Sequence, residues 1–202
     1  MKKIIACCVL TVMLVAIFAT GTSAAVKHTV VKGDTMWKIA VKYEVGLSEI
    51  KSANKHIANP DLIYPGQVLN VPTKDTGVDA YEKEVVRLVN EERAKNGLRA
   101  LTYNWELSRV ARIKSQDMKD IGYFSHTSPT YGTPFQMIKS FGITYRSAGE
   151  NIARGQKTPE TVVNAWMNSS GHRANILNAS YTEIGVGYVA EGNYWTQMFI
   201  GK

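Results

Sequence analysis

The sequence predicts an α+β chain: a small strand–helix–helix–strand module followed by a larger mixed domain. Three observations carry that expectation. Apolar side chains recur at three- and four-residue steps in Met36, Ile39, Ala40 and Tyr43, and again in Leu107, Val110, Ala111 and Met118. That is the period of a helix with one buried face. The β-branched runs His28-Thr29-Val30-Val31 and Val68-Leu69-Asn70-Val71-Pro72 bracket the first helices and read as strands. At the far end, residues 184–189 and 194–200 flank Glu191-Gly192-Asn193, a hairpin turn signal.

The leader comes first. Met1-Lys2-Lys3 is positive, residues 4–19 are apolar without a charge, and Gly21-Thr22-Ser23-Ala24-Ala25 offers small residues to a signal peptidase. That order marks residues 1–25 as a secretory signal, cut after Ala24 or Ala25. The run is short for a membrane span, which needs about 20 apolar residues. Cys7 and Cys8 sit early in the run, against a lipoprotein signal, and leave with it. The mature chain then has no cysteine, which excludes thiol nucleophiles and cysteine metal sites. Net charge is +7, and +5 without Lys2 and Lys3. A modest positive charge favours anionic wall polymers. With no basic stripe interleaved with aromatics, nucleic acid is not an expected partner, nor is the membrane once the signal is cut.

Residues 27–72 carry their own start and stop signals. Asp34 or Thr35 is placed to cap the Met36 helix, and Ser48 to cap a second helix through Leu47, Ile50 and Ala53. Asn59-Pro60-Asp61 breaks the chain, and Pro65-Gly66-Gln67 turns it into the closing strand. Val30, Gly33-Asp34-Thr35, Trp37, Ile39-Ala40, Tyr43, Val45, Ile50, Asn54, Ile63, Pro65-Gly66-Gln67, Leu69 and Val71-Pro72 together resemble a LysM domain. The resemblance implies binding of N-acetylglucosamine-containing glycans, peptidoglycan in bacteria. It places the groove between Gly33, Asp34, Thr35 and Met36 on one side and Asp61, Leu62, Ile63 and Tyr64 on the other. Backbone groups of the turns would bond the acetamide, and Met36 and Ile63 would cover its methyl and the ring face.

Residues 73–79 are polar and read as a linker to a second domain, 80–202. Helices are expected at 81–96, 105–121 and 133–141, then from Pro159 through Trp166. Ser170-Gly171-His172-Arg173 opens a further short helical piece ending at Leu177. Helices followed by a hairpin suggest layered α+β packing. Trp105, Trp166 and Trp195 are expected in the core.

Asn90 with Arg93, Phe124-Ser125-His126, Gly149-Glu150-Asn151-Ile152-Ala153, Trp166, Gly171-His172-Arg173 and Gly185-Val186-Gly187 resemble the CAP superfamily of cysteine-rich secretory proteins. The resemblance implies an α-β-α sandwich with a cleft lined by two histidines and two acids. His126, Glu150 and His172 fall on three of those positions. Met167-Asn168-Ser169-Ser170-Gly171, where the second acid should stand, has no carboxylate, and Glu183 is only the nearest candidate in sequence.

Two imidazoles can hold a divalent metal such as zinc, with Glu150 as third ligand or orienting group. Alternatively Glu150 and a histidine serve as acid and base, although Ser125 and Ser128 beside His126 form no nucleophile elbow. Glu150 also has a structural reading, as an acceptor for nearby backbone N–H groups. The leading expectation is a secreted wall-associated protein that is not an enzyme. In it the LysM module holds peptidoglycan, and the cleft takes a ligand or metal. A wall hydrolase and a spore or envelope structural component are the alternatives.

Overall fold

The computed structural model describes residues 25–202, so the expected signal through Ala24, with both cysteines, lies outside the described residues. Among the described residues no helix is long and apolar enough to cross a membrane.

The first unit closes on itself. Strand β1 (Ala25–Thr29) pairs antiparallel with β2 (Val68–Pro72), Ala25 opposite Pro72 and Thr29 opposite Val68. Helices α1 (Met36–Tyr43) and α2 (Leu47–Ala53) lie between them in sequence. Val30 and Val31 fall beyond the strand expected to hold them. Val30 N–H still donates to the Gln67 carbonyl at 2.8 Å, and its own carbonyl accepts from Gly66 N–H at 2.9 Å. Thr35 caps α1, its Oγ1 accepting from Lys38 N–H at 3.1 Å. The cap expected at Ser48 is not made. Helix α2 starts two residues earlier, Gly46 stands at its cap, and the Ser48 hydroxyl donates to Glu49 at 2.9 Å. Val30, Met36, Ile39, Ala40, Val45, Ile50, Leu69 and Val71 form the core. Asn54 is buried and does the work of a third strand. Its Nδ2 donates to the Asn70 carbonyl at 2.7 Å, and its Oδ1 accepts from Asn70 N–H at 2.8 Å.

The polar stretch expected as a linker is mostly a helix start. Asp75 caps α3 (Thr76–Lys95), accepting from Gly77 N–H at 2.7 Å, so the helix begins five residues before the expected Tyr81. A single capping carboxylate satisfies first-turn donors that composition alone leaves unassigned.

The second unit is a sandwich. Strand β3 (Thr102–Tyr103) precedes α4 (Trp105–Ile121) and α5 (Pro134–Ser140). Then follow β4 (Ser147–Arg154), α6 (Pro159–Met167), α7 (Ser170–Ile176), β5 (Glu183–Val189) and β6 (Tyr194–Gly201). The sheet order is β3-β5-β6-β4, with β3 parallel to β5 and the other pairs antiparallel. Strand β6 is buried throughout, and its side chains alternate between two cores. Trp195 and Phe199 pack with Val85, Val89, Val162, Trp166 and Ile176 of α3, α6 and α7. Met198 and Ile200 pack with Leu107, Val110, Ala111, Met137 and Ile138 of α4 and α5.

Helix α4 lies directly on β5 because two residues there lack side chains. A Cβ added at Gly187 would stand 2.0 Å from the Arg112 backbone nitrogen, and one at Gly185 2.4 Å from the Leu107 carbonyl carbon. The expected Gly185-Val186-Gly187 motif is therefore a packing device.

The two units touch. Arg109 of α4 forks onto Glu49 of α2, Nε and Nη2 each 2.8 Å from a carboxylate oxygen, and Nη2 reaches Ser48 Oγ at 3.0 Å. Lys74 joins Glu44 at 2.9 Å and Asp79 at 2.7 Å.

Candidate functional site: a histidine–glutamate cleft

His126, Glu150 and His172 come from three elements: the loop after α4, strand β4 and helix α7. The structure brings them to one place. His126 Nδ1 lies 2.7 Å from Glu150 Oε1. The imidazole is about half exposed, whereas the carboxylate is sealed. Burial raises the Glu150 pKa, with the His126 hydrogen bond and the Lys114 charge pulling it back. Burial lowers the pKa of His172, and the nearby His126 charge lowers it further. Both effects disfavour the charged form of His172.

Each member is braced. Asn151 Nδ2 donates to the His172 carbonyl at 3.1 Å and to Gln197 Oε1 at 3.0 Å. Asn175 Nδ2 donates to the Glu150 carbonyl at 3.1 Å and to Asn151 Oδ1 at 2.9 Å. Strand β4 and helix α7 are thereby tied together on the side away from α4.

The His126 loop rests on two residues whose role the sequence conceals. Lys114 is 1% exposed. It donates to Tyr123 Oη at 3.0 Å and to the carbonyls of Ser125 and His126 at 2.8 and 3.0 Å. Asp117, one turn on, accepts from Ser128 Oγ at 2.7 Å, from Thr130 Oγ1 at 2.8 Å and from the Tyr123 hydroxyl. Buried charges at two helix positions thus fasten a loop with no regular structure of its own. Their i, i+3 spacing in α4 is the only signal that pairs them, and it looks the same for two solvated side chains.

Some expectations change. Glu150 is not an acceptor for backbone N–H groups. It takes one bond from His126, and its Oε2 is buried without a partner. Glu183 lies on β5, separated from β4 by β6, where it accepts from Asn104 at 2.6 Å and pairs with Lys202, so it cannot supply a second cleft acid. Ser128 Oγ is tied to Asp117 and to the N–H groups of Thr130 and Tyr131, and Ser125 Oγ accepts from Thr127 N–H. Trp166 and Trp195 are core residues as expected, but Trp105 is only half-buried.

The donor set suits a metal only in part. Among the described residues no group of three or more His, Cys, Asp and Glu side chains has a metal-holding arrangement. Glu150 is engaged at His126 Nδ1, the position of an orienting carboxylate rather than a third ligand.

On the small module, the two sides of the expected groove differ in character. Asp34 Oδ2 accepts from Val31 N–H at 3.0 Å and bonds His28 Nε2 at 2.9 Å, and these bonds lower its pKa. Thr35 is committed to the α1 cap. Met36 is turned into the core at 4% exposure, with Ile63 packed on that core. Gly33 holds φ +92° in an open turn. Across the groove Leu62 and Tyr64 are 51% and 55% exposed, and Asp61 pairs with Lys51 at 3.1 Å.

Comparison with known proteins agrees with this division. Residues 28–72 match the LysM domain, and residues 86–200 match the cysteine-rich secretory protein family, CAP. YkwD of Bacillus subtilis (strain 168) is 66% identical over 127 residues, 63% of this chain and 49% of that protein. The N-acetylmuramoyl-L-alanine amidase sle1 of Staphylococcus aureus (strain USA300) is 41% identical over 70 residues, 35% of this chain and 20% of that one. The chain thus matches half or less of each of these relatives. Among solved structures, an extracellular protein containing a SCP domain from Bacillus anthracis str. Ames aligns with a TM-score of 0.60 and 33% identity, over 68% of this chain and 47% of that one. The chain belongs to the cysteine-rich secretory protein (CAP) family and carries a LysM domain ahead of its CAP domain.

Proposed function

We propose that this is a secreted, wall-associated binding protein. Its LysM module holds peptidoglycan or another N-acetylglucosamine-containing glycan, and its CAP cleft takes a small polar ligand between His126 and His172. The observation that carries the cleft reading is the His126–Glu150 contact beside a buried, unpartnered Glu150 Oε2, with His172 tied to the same strand through Asn151. A buried acceptor left unsatisfied costs stability. A ligand donor that reaches it would recover that cost and so gain affinity. On the LysM side, exposed Leu62 and Tyr64 offer apolar faces opposite the open backbone of the Gly33 turn.

The test uses labelled peptidoglycan and residues 25–202. Wild type should pellet with the polymer and release no soluble fragments. Release that disappears in both His126→Ala and Glu150→Ala would replace this reading with the wall hydrolase. Absence from the pellet would remove the anchor.

A second reading has one observation in its favour. Glu150 occupies Nδ1 of His126 and leaves Nε2 without a protein partner among the described residues. A divalent ion such as zinc would then lie between that nitrogen and His172, with Glu150 fixing the ring. Calorimetric titration with zinc, repeated on His172→Ala, decides it: saturable binding in wild type alone supports the metal.

A further inference from the structure

The two units meet over a groove of about 330 Å³, lined by Trp37 and Ser48 from the LysM side and by Trp105, Glu106, Arg109 and Phe141 from the CAP side. Trp37 is 50% exposed and Trp105 half-buried, whereas Trp166 and Trp195 are sealed in the sandwich. Two accessible indoles in one hollow exceed what folding requires, since scattered single apolar residues are the ordinary surface condition.

The groove is held open in advance. Arg109 grips Glu49 and Ser48, and its guanidinium lies 5.2 Å over the Phe141 ring, so the wall between the units is fixed before a ligand arrives. Preformed walls lower the ordering cost of binding. Glu106 enters no ion pair among the described residues, which leaves its carboxylate available to hydroxyl or amide donors. The chemistry is therefore two aromatic faces with a few polar groups at the rim. That suits a pyranose ring, apolar on its C–H face and polar around its edge. The volume is at the low end for small-molecule sites, about 300 to 1,000 Å³, which favours a sugar ring or two over a long peptide.

We propose that this groove is a second glycan subsite, in which an amino-sugar ring of the strand held by the LysM rim lies against Trp37 and Trp105. The proposal rests on the glycan reading of the LysM module. Trp37 follows directly on the Thr35-Met36 segment of that rim, so a strand leaving the rim along α1 runs toward the groove.

Chitobiose and chitopentaose are the probes, titrated into residues 25–202 and followed by calorimetry and tryptophan fluorescence. Trp105→Ala should weaken chitopentaose about tenfold, the loss expected for one well-covered aromatic, and leave chitobiose unchanged. Trp105→Phe should recover most of the loss, which separates a lost ring face from damaged folding. Tyr64→Ala at the rim should weaken both sugars. If Trp105→Ala binds chitopentaose as wild type does while Tyr64→Ala is impaired, the subsite is wrong and the LysM reading stands. If wild type binds neither sugar, both are overturned.

Discussion

His126 and Glu150 make a contact with unlike ends: a half-exposed imidazole bonded through Nδ1, at 2.7 Å, to a carboxylate sealed beneath it. An ionised carboxylate only accepts, so with Glu150 charged the ring proton belongs on Nδ1 and Nε2 is left as an acceptor. We expect nitrogen NMR at about pH 8, above the usual histidine range, to show the Nδ1–H tautomer in wild type. Glu150→Ala should release the ring to the Nε2–H form. An Nε2–H ring in wild type would contradict the orientation.

Lys114 should matter more than its place in a helix suggests. Lys114→Met keeps the stem but strands the carbonyls of Ser125 and His126, which the ammonium now satisfies. The expected cost is about 3 kcal/mol, a fall in unfolding midpoint of roughly 10 °C. Hydrogen exchange should rise first in the loop carrying His126. A change of less than a few degrees would mean that the loop stands without this support.

Glu82 sets a pH dependence away from the cleft. It is fully buried, bonded to Arg112 and to Tyr188 N–H, and burial raises its pKa from 4.5 to about 7. The folded state thus binds this proton more tightly than the unfolded one. The contribution is present below about pH 4.5 and is lost as pH rises to about 7. His172, lowered by folding, acts in the opposite sense over part of that window. The variant Glu82→Gln isolates the effect: urea unfolding from about pH 5 to about pH 7.5 should show wild type losing stability relative to it, by an amount on the order of a few kcal/mol. Parallel curves would refute the raised pKa.

Gly187→Ala and Gly171→Ala should differ sharply. The first drives a methyl into the α4 backbone, with no flexible side chain to move aside, and should cost more than about 4 kcal/mol or abolish soluble expression. The second adds its methyl to open space in α7 and should be neutral or stabilise by about 0.5 kcal/mol. Denaturant midpoints measure both.

What the sequence discloses depends on how local the cause is. Helix α4 was legible because its apolar stripe and the closing Gly122 act within a few positions, while its Asn104 cap emerged only in the structure. Strand β4 was not, since Ser147-Ala148-Gly149-Glu150-Asn151 lacks β-branched alternation and becomes a strand only by pairing with β6. The triad of His126, Glu150 and His172 was found through a resemblance, because no spacing along the chain announces that three distant segments converge. Lys114 was legible on the inward face of α4 with Leu107, Val110, Ala111 and Met118, but Asp117 and the fastening of the loop by both stayed hidden, since the partners of a buried charge are decided by what packs over it. Trp105 was placed in the core for its size. In the structure it lines the groove between the two units instead.

Asn54 has a consequence for how copies of this chain meet one another. Its side-chain amide meets both main-chain groups of Asn70 on β2, where another molecule's strand would otherwise dock. A two-stranded ribbon with an open flank invites copies to zip together. With one amide blocking that flank, a second copy cannot extend the ribbon across Asn70, which favours separately folded chains over a continuous sheet.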